Sequence, residues 1–176
     1  MPEVNNLKEK QVVIFELVNQ IYGVDISNVL EIIRPQAMTI IPGSPDYVEG
    51  IINLRGQIIP IIDLAKRFKL QTNIETNNKI IVVVEIEKIK LGLMVDRVLG
   101  VQKFDPALIQ PPPVLIDGIN TQYLIGTVLM NNQLLILLNI NFVYEEQEKE
   151  KEFLSSLKEV ASKEKTIKKT DLGLIM

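Results

Sequence analysis

Five aspartates, Asp25, Asp63, Asp96, Asp105 and Asp117, are the side chains from which this sequence could build acid–base chemistry or a Mg²⁺ site. Much of the common enzyme repertoire is closed, because the 176 residues include no His and no Cys. Ser–His and Cys–His nucleophile pairs, thiolate catalysis, disulfides and an ordinary zinc site are therefore excluded. The spacing of the aspartates places no two of them together, and Asp is a favoured residue at helix starts and turns. The phosphate-cradling GxxxxGK(S/T) pattern, GxGxxG, GxSxG and HExxH are all missing. A carboxylate-based β-barrel enzyme is the alternative this leaves, and it has no motif; neither a metal nor a cofactor is expected.

Arg55 offers chemistry of another kind. It sits in GIINLRGQIIPIIDL, residues 50–64, where apolar residues account for a β-hairpin but not for an arginine at its turn. Gly56 can meet the turn's conformational demand alone, whereas Arg has no backbone advantage there. Its five-donor guanidinium fork is what the position gains, and that suits recognition of a partner or a brace to a carboxylate.

The elements that must position Arg55 are strands. Apolar, β-branched runs recur at 12–18, 21–25, 50–54, 57–62, 80–86, 91–95, 123–130 and 133–138, separated by short turns. Val13, Phe15 and Leu17, and again Val82, Val84 and Ile86, alternate as in half-buried antiparallel strands. Pro60 cannot donate to a ladder, which predicts an edge strand or a bulge. Residues 27–33, SNVLEII, read as a short helical turn with Asn28 and Glu31 at capping-box spacing and with Val29, Ile32 and Ile33 in the core.

An internal duplication organises these runs. A shift of 69 places Gly23 on Gly92, Val29 on Val98, Leu30 on Leu99 and Ile32 on Val101. A shift of 76 pairs Tyr47 with Tyr123, Gly50 with Gly126, Gln57 with Gln133 and Asp63 with Asn139, and it sets Arg55 and Gly56 against Asn131 and Asn132. The two shifts differ by seven residues, an insertion in the interval that holds Gln110-Pro111-Pro112-Pro113. Two similar β units follow, each with an opening and a closing hairpin, packed side by side with a binding groove along the join.

With 47% hydrophobic residues and a net charge of -3, the chain is expected to fold and to lack the basic field of a nucleic-acid binder. No apolar run reaches the roughly 18 residues of a membrane helix, and the first eleven have no signal-peptide core, so a cytoplasmic protein without membrane insertion is expected. Residues 145–176 are charged and carry a narrow apolar stripe of Phe153, Leu154, Leu157, Val160 and Ala161, which predicts a C-terminal helical extension.

In order, the blocks IYGVDISNVLEII, YVEGIINLRGQIIPIIDLAKRF, LGLMVDRVLGV and YLIGTVLMNNQLLILLNI resemble the CheW family of chemotaxis coupling proteins over about residues 11–144. The resemblance implies an all-β fold of two SH3-like five-stranded β-barrel subdomains, interleaved within a CheW-like domain over 1–144, with short helices. It implies a non-catalytic adaptor joining the regulatory domain of the CheA histidine kinase to the cytoplasmic tip of methyl-accepting chemoreceptors, at membrane-associated arrays. Service in another signalling array, such as one for pilus motility, is the alternative. The positions that match the family's receptor-coupling sites are Val29, Glu31, Gly50, Arg55, Gly92, Val98 and Val101. For the kinase the resemblance points to Gln110, where relatives often carry a basic residue, and to Val114 and Leu115.

Overall fold

The computed structural model describes residues 8–71, 78–112 and 121–141. The expected C-terminal helix over 145–176, together with Asp117, Val114 and Leu115, lies outside the described residues. Ten strands are present among those described: β1 (Lys10–Leu17), β2 (Gln20–Asp25), β3 (Val29–Ile33), β4 (Val48–Leu54), β5 (Gln57–Asp63), β6 (Ile80–Ile86), β7 (Ile89–Val95), β8 (Arg97–Phe104), β9 (Leu124–Met130) and β10 (Gln133–Leu138). One helical turn, α1 (Leu64–Arg67), follows β5. They form two five-stranded sheets, ordered β8-β1-β2-β10-β9 and β3-β6-β7-β5-β4. No helix among the described residues is long and apolar enough to cross a membrane.

Under the shift of 69, β1, β2 and β3 correspond to β6, β7 and β8; under 76, β4 and β5 correspond to β9 and β10. Each sheet therefore takes its opening hairpin from one copy and its other three strands from the other. The parallel pairs where the copies meet are equivalent in register: Leu137 lies opposite Gly23, and Ile61 opposite Gly92. Each sheet also closes on itself in the same way. Thr39, beyond β3, exchanges two 2.9 Å backbone hydrogen bonds with Ile51 of β4, and Gln110, beyond β8, exchanges two of 2.8 Å with Thr127 of β9.

The side chains sort into three clusters. Ile52, Ile59, Ile61, Ile81, Val83 and Met94 fill one closed sheet, and Val12, Phe104, Val128, Leu135 and Leu137 fill the other. The largest cluster draws Phe15, Leu17, Tyr22 and Leu138 from one sheet and Ile62, Val82, Leu91 and Leu93 from the other, with Leu64 and Phe68 from around α1. The join between the sheets is thus itself an apolar core, as units too small to be stable alone require.

Two local expectations are corrected. Residues 29–33 form β3, not a helical turn; the turn is the 3₁₀ segment Ile26–Asn28 before it, capped by Asp25, whose side chain accepts from the Ser27 N–H at 2.9 Å. The apolar spacing 29, 32, 33 mimics a helix only because a bulge at Leu30 breaks the alternation, and Ile32 consequently faces solvent at 46% exposure instead of entering the core. Pro60, in turn, is neither on an edge strand nor at a bulge, because β5 lies between β7 and β4. It faces Ile51, whose N–H and C=O are both spent on Thr39, and pairing with β7 begins only at Ile61. No donor is asked of residue 60.

The Asp25 cap carries a pH prediction. Partial burial opposes ionisation, but the Ser27 N–H and hydroxyl and the Lys10 ammonium outweigh it and hold the carboxyl below its usual 3.8. A lowered folded-state value means stability that is present above the ordinary carboxylate range and lost as pH falls through the folded value. Asp25→Ala is expected to lose about 1 kcal/mol at about pH 6, by urea unfolding, and the difference from the parent should shrink as unfolding is repeated towards about pH 2.

Candidate partner-binding surface

Both residues of the β4–β5 turn adopt left-handed backbone conformations, Arg55 at φ +51° and Gly56 at φ +82°. Gly56 therefore does not meet the turn's demand alone: this is a two-residue hairpin of the kind that favours Asn or Gly at both positions, as Asn131 (φ +47°) and Asn132 (φ +62°) provide in the other copy. The Asn53 side chain accepts from the Gly56 N–H at 2.9 Å and steadies the turn. Arg at residue 55 costs about 1 kcal/mol relative to Asn or Gly, which sharpens the question of what its side chain does.

It reaches across the sheet's closure. The guanidinium Nη2 lies 2.7 Å from Glu31 Oε2 on β3, with Arg55 76% exposed and Glu31 24% exposed at the side chain. Glu31 shares the face of Ile33, which packs on the cluster inside this sheet, so the carboxylate sits at the rim of a closed, apolar interior. Its Oε1 is buried and accepts no hydrogen bond. The pair joins β3 to the β4–β5 turn within one sheet and does not brace one sheet against the other. In the second copy the equivalent residues are Gly100 and Asn131, so the ion pair has no counterpart there.

Around it the structure divides the expected residues into two groups. Glu31 and Arg55 lie together, whereas Val29, on the same strand as Glu31, leans on the central cluster and Glu31 shares the inner face of Ile33. Gly50 stands behind them where the sheet closes; a Cβ there would fall 2.7 Å from the Thr39 carbonyl oxygen. Val98 and Val101 are on β8 of the other sheet, and Val29 and Val98 both lean on the shared central cluster, bordering the join from equivalent positions. Val101 is 54% exposed. Gly92 is not at a surface: it is buried in β7, and a Cβ there would meet Ile61 Cδ1 at 2.3 Å. Gln110 is exposed but its backbone is spent on Thr127.

Leu30 and Leu99, exposed at the two equivalent bulges, were not singled out beforehand, although both copies keep an apolar residue there. The exposed cross-strand pair Leu129–Leu134 on β9 and β10 was also missed.

The aspartates have other work. Asp63 caps α1 and pairs with Lys79 at 3.0 Å, Asp96 accepts from the Val18 N–H at 2.8 Å, and Asp105 caps the 3₁₀ turn Pro106–Leu108. Among the described residues no group of three or more acidic side chains could hold a metal ion.

Comparison with known proteins agrees with this architecture. The family model described as a CheW-like domain matches residues 11–148. The chain is 38% identical over 155 residues to the chemotaxis protein CheW of Treponema pallidum, covering 86% of this chain and 91% of that protein. It is 34% identical over 139 residues to that of Klebsiella aerogenes, covering 79% and 84%. The crystal structure of the scaffolding protein TtCheW from Thermoanaerobacter tengcongensis superposes with a TM-score of 0.74 at 38% identity, covering 79% of this chain and 94% of that one.

Proposed function

This chain belongs to the CheW-like family of chemotaxis proteins, and from that premise we propose that it couples chemoreceptor cytoplasmic tips to the regulatory domain of the CheA histidine kinase, in the cytoplasm at receptor arrays. The domain that does this spans 1–144, and 145–176 is an extension of it. Its action is differential affinity: by holding receptor and kinase together, it lets a receptor rearrangement shift the kinase between active and inactive arrangements. No bond is made or broken by the adaptor itself.

The observation that carries this reading is Arg55. An exposed arginine at a hairpin tip, tethered by a rim carboxylate and lacking a counterpart in the duplicate, supports a role in recognition. A receptor helical hairpin would lie along the join, its apolar face against Val29, Val98 and Val101, with Arg55 donating to a receptor carboxylate or carbonyl and Glu31 fixing its direction. Gly50 and Gly92 support that surface through packing and make no contact with the receptor. The kinase would dock away from the join, at Gln110, Val114 and Leu115, through apolar packing of the last two and without an ionic contact at residue 110, which carries no charge.

Calorimetric titration of the purified protein with a CheA regulatory domain, and separately with a receptor cytoplasmic fragment, tests the proposal. Binding to both is expected. Binding to neither cognate partner would remove the chemotaxis assignment in favour of another signalling array.

A further inference from the structure

We infer that Arg67 is a positioning residue that fixes the two closed sheets in register, so that what binds along their join is felt where the kinase docks. Its Cζ lies 4.8 Å from the ring centroid of Tyr47 and 5.0 Å from that of Tyr123. Those tyrosines are equivalent under the shift of 76, and each immediately precedes an edge strand of a different sheet. Tyr47 leads into β4, its carbonyl accepting the Asp63 N–H at 2.8 Å; Tyr123 leads into β9, its carbonyl accepting the Asn139 N–H at 2.8 Å. One guanidinium thus contacts a ring from each half of the duplication.

The surroundings make the contact directional. Arg67 ends α1, whose neighbours Leu64 and Phe68 are buried in the central cluster, and the Phe68 ring lies 5.5 Å from Tyr123 and 6.2 Å from Tyr22. Apolar burial holds the sheets together but is non-directional. A planar cation against two ring faces is favourable only over a narrow range of ring positions, so the clamp adds orientation to adhesion. Such a device belongs in a protein whose two halves must report on each other. Its functional consequence rests on the adaptor reading above.

The test compares Arg67→Met, which keeps the stem and removes the cation, with Arg67→Lys, which keeps the cation. Tyr123→Leu, without the ring, is compared with Tyr123→Phe, which retains it. For each variant, affinity for the kinase regulatory domain is measured with and without saturating receptor fragment. Arg67→Met and Tyr123→Leu are expected to hold both binary affinities within about threefold of the parent while the receptor-induced change in kinase affinity collapses towards none. Arg67→Lys and Tyr123→Phe should keep most of it, which a merely structural role would not produce. Unchanged coupling in Arg67→Met and Tyr123→Leu, or absence of coupling in a parent that binds both partners, overturns the inference.

A second readout needs no partner. The sequence has no cysteine, so spin labels at Lys103→Cys on β8 and Gln57→Cys on β5 report the separation of the sheets alone. The distance distribution should widen about twofold in Arg67→Met and stay narrow in Arg67→Lys. If the parent binds neither partner, the adaptor reading fails and the clamp is judged on this width; an unwidened distribution overturns it. If Arg67→Met does not fold, Tyr123→Leu decides.

Discussion

Arg55→Glu is expected to weaken binding of a receptor cytoplasmic fragment by about 2 kcal/mol or more, roughly thirtyfold, while lowering folding stability by less than about 1 kcal/mol. The stability estimate is small because the Arg55–Glu31 pair is largely solvated on the arginine side, and exposed pairs contribute little. The turn itself is unaffected, since Glu inherits the same left-handed conformation that Arg55 adopts. The binding estimate is large because reversal removes the donor fork and sets a second carboxylate beside Glu31. Two further variants separate direct contact from bracing. Arg55→Gly relieves the backbone strain and should leave stability within about 0.5 kcal/mol of the parent, yet bind receptor as poorly as Arg55→Glu. The charge swap Arg55→Glu with Glu31→Arg restores the pair in reverse; it should recover stability but not receptor affinity. Recovery of affinity by the swap, read by calorimetry against urea unfolding, would make the pair a brace and remove Arg55 from the contact.

Why Arg55 was legible in the sequence and its partner was not is a matter of range. The comparison of copies, Arg55 against Asn131, exposes a residue that the turn does not need, and this comparison is local. The Glu31 carboxylate comes from a strand at the opposite end of the sheet order, brought near only because the sheet closes on itself through Thr39 and Ile51. The hairpins β1–β2, β4–β5, β6–β7 and β9–β10 could be read directly, since β-branched alternation and two-residue turns are local signals. β3 and β8 could not be read as strands from the residues alone. Both pair on one side with a single neighbour and carry a bulge, so their apolar residues do not alternate. The exchange of hairpins between copies has no local signature either. It resides in the parallel contacts Gly23–Leu137 and Gly92–Ile61, which join strands far apart in sequence.

Those contacts make Gly92→Ala the most destabilising of these substitutions, and its equivalent, Gly23→Ala, an internal control. At Gly92 a methyl would sit 2.3 Å from Ile61 Cδ1 and 2.9 Å from Ile81 Cγ2. Both isoleucines are fully buried in the cluster that fills that sheet, and the Ile81 branch is stiff about χ1, so neither can swing aside without disturbing Ile52, Ile59 or Val83. The expected cost is about 3 kcal/mol, at the upper end of overpacking, or a melting temperature lower by about 6 to 12 °C. At Gly23 the nearest atoms are 3.2 to 3.4 Å away, side-chain methyls of Val12, Leu137 and Leu135, and a cost of about 1 kcal/mol or less is expected. The same comparison tests how Gly92 serves the adaptor. If it acts through packing, folded Gly92→Ala at low temperature binds receptor fragment within about twofold of the parent, and its deficit grows only as the protein unfolds. A receptor affinity lost at full stability would instead put Gly92 in the contact, and β7 would then have to be exposed in the complex.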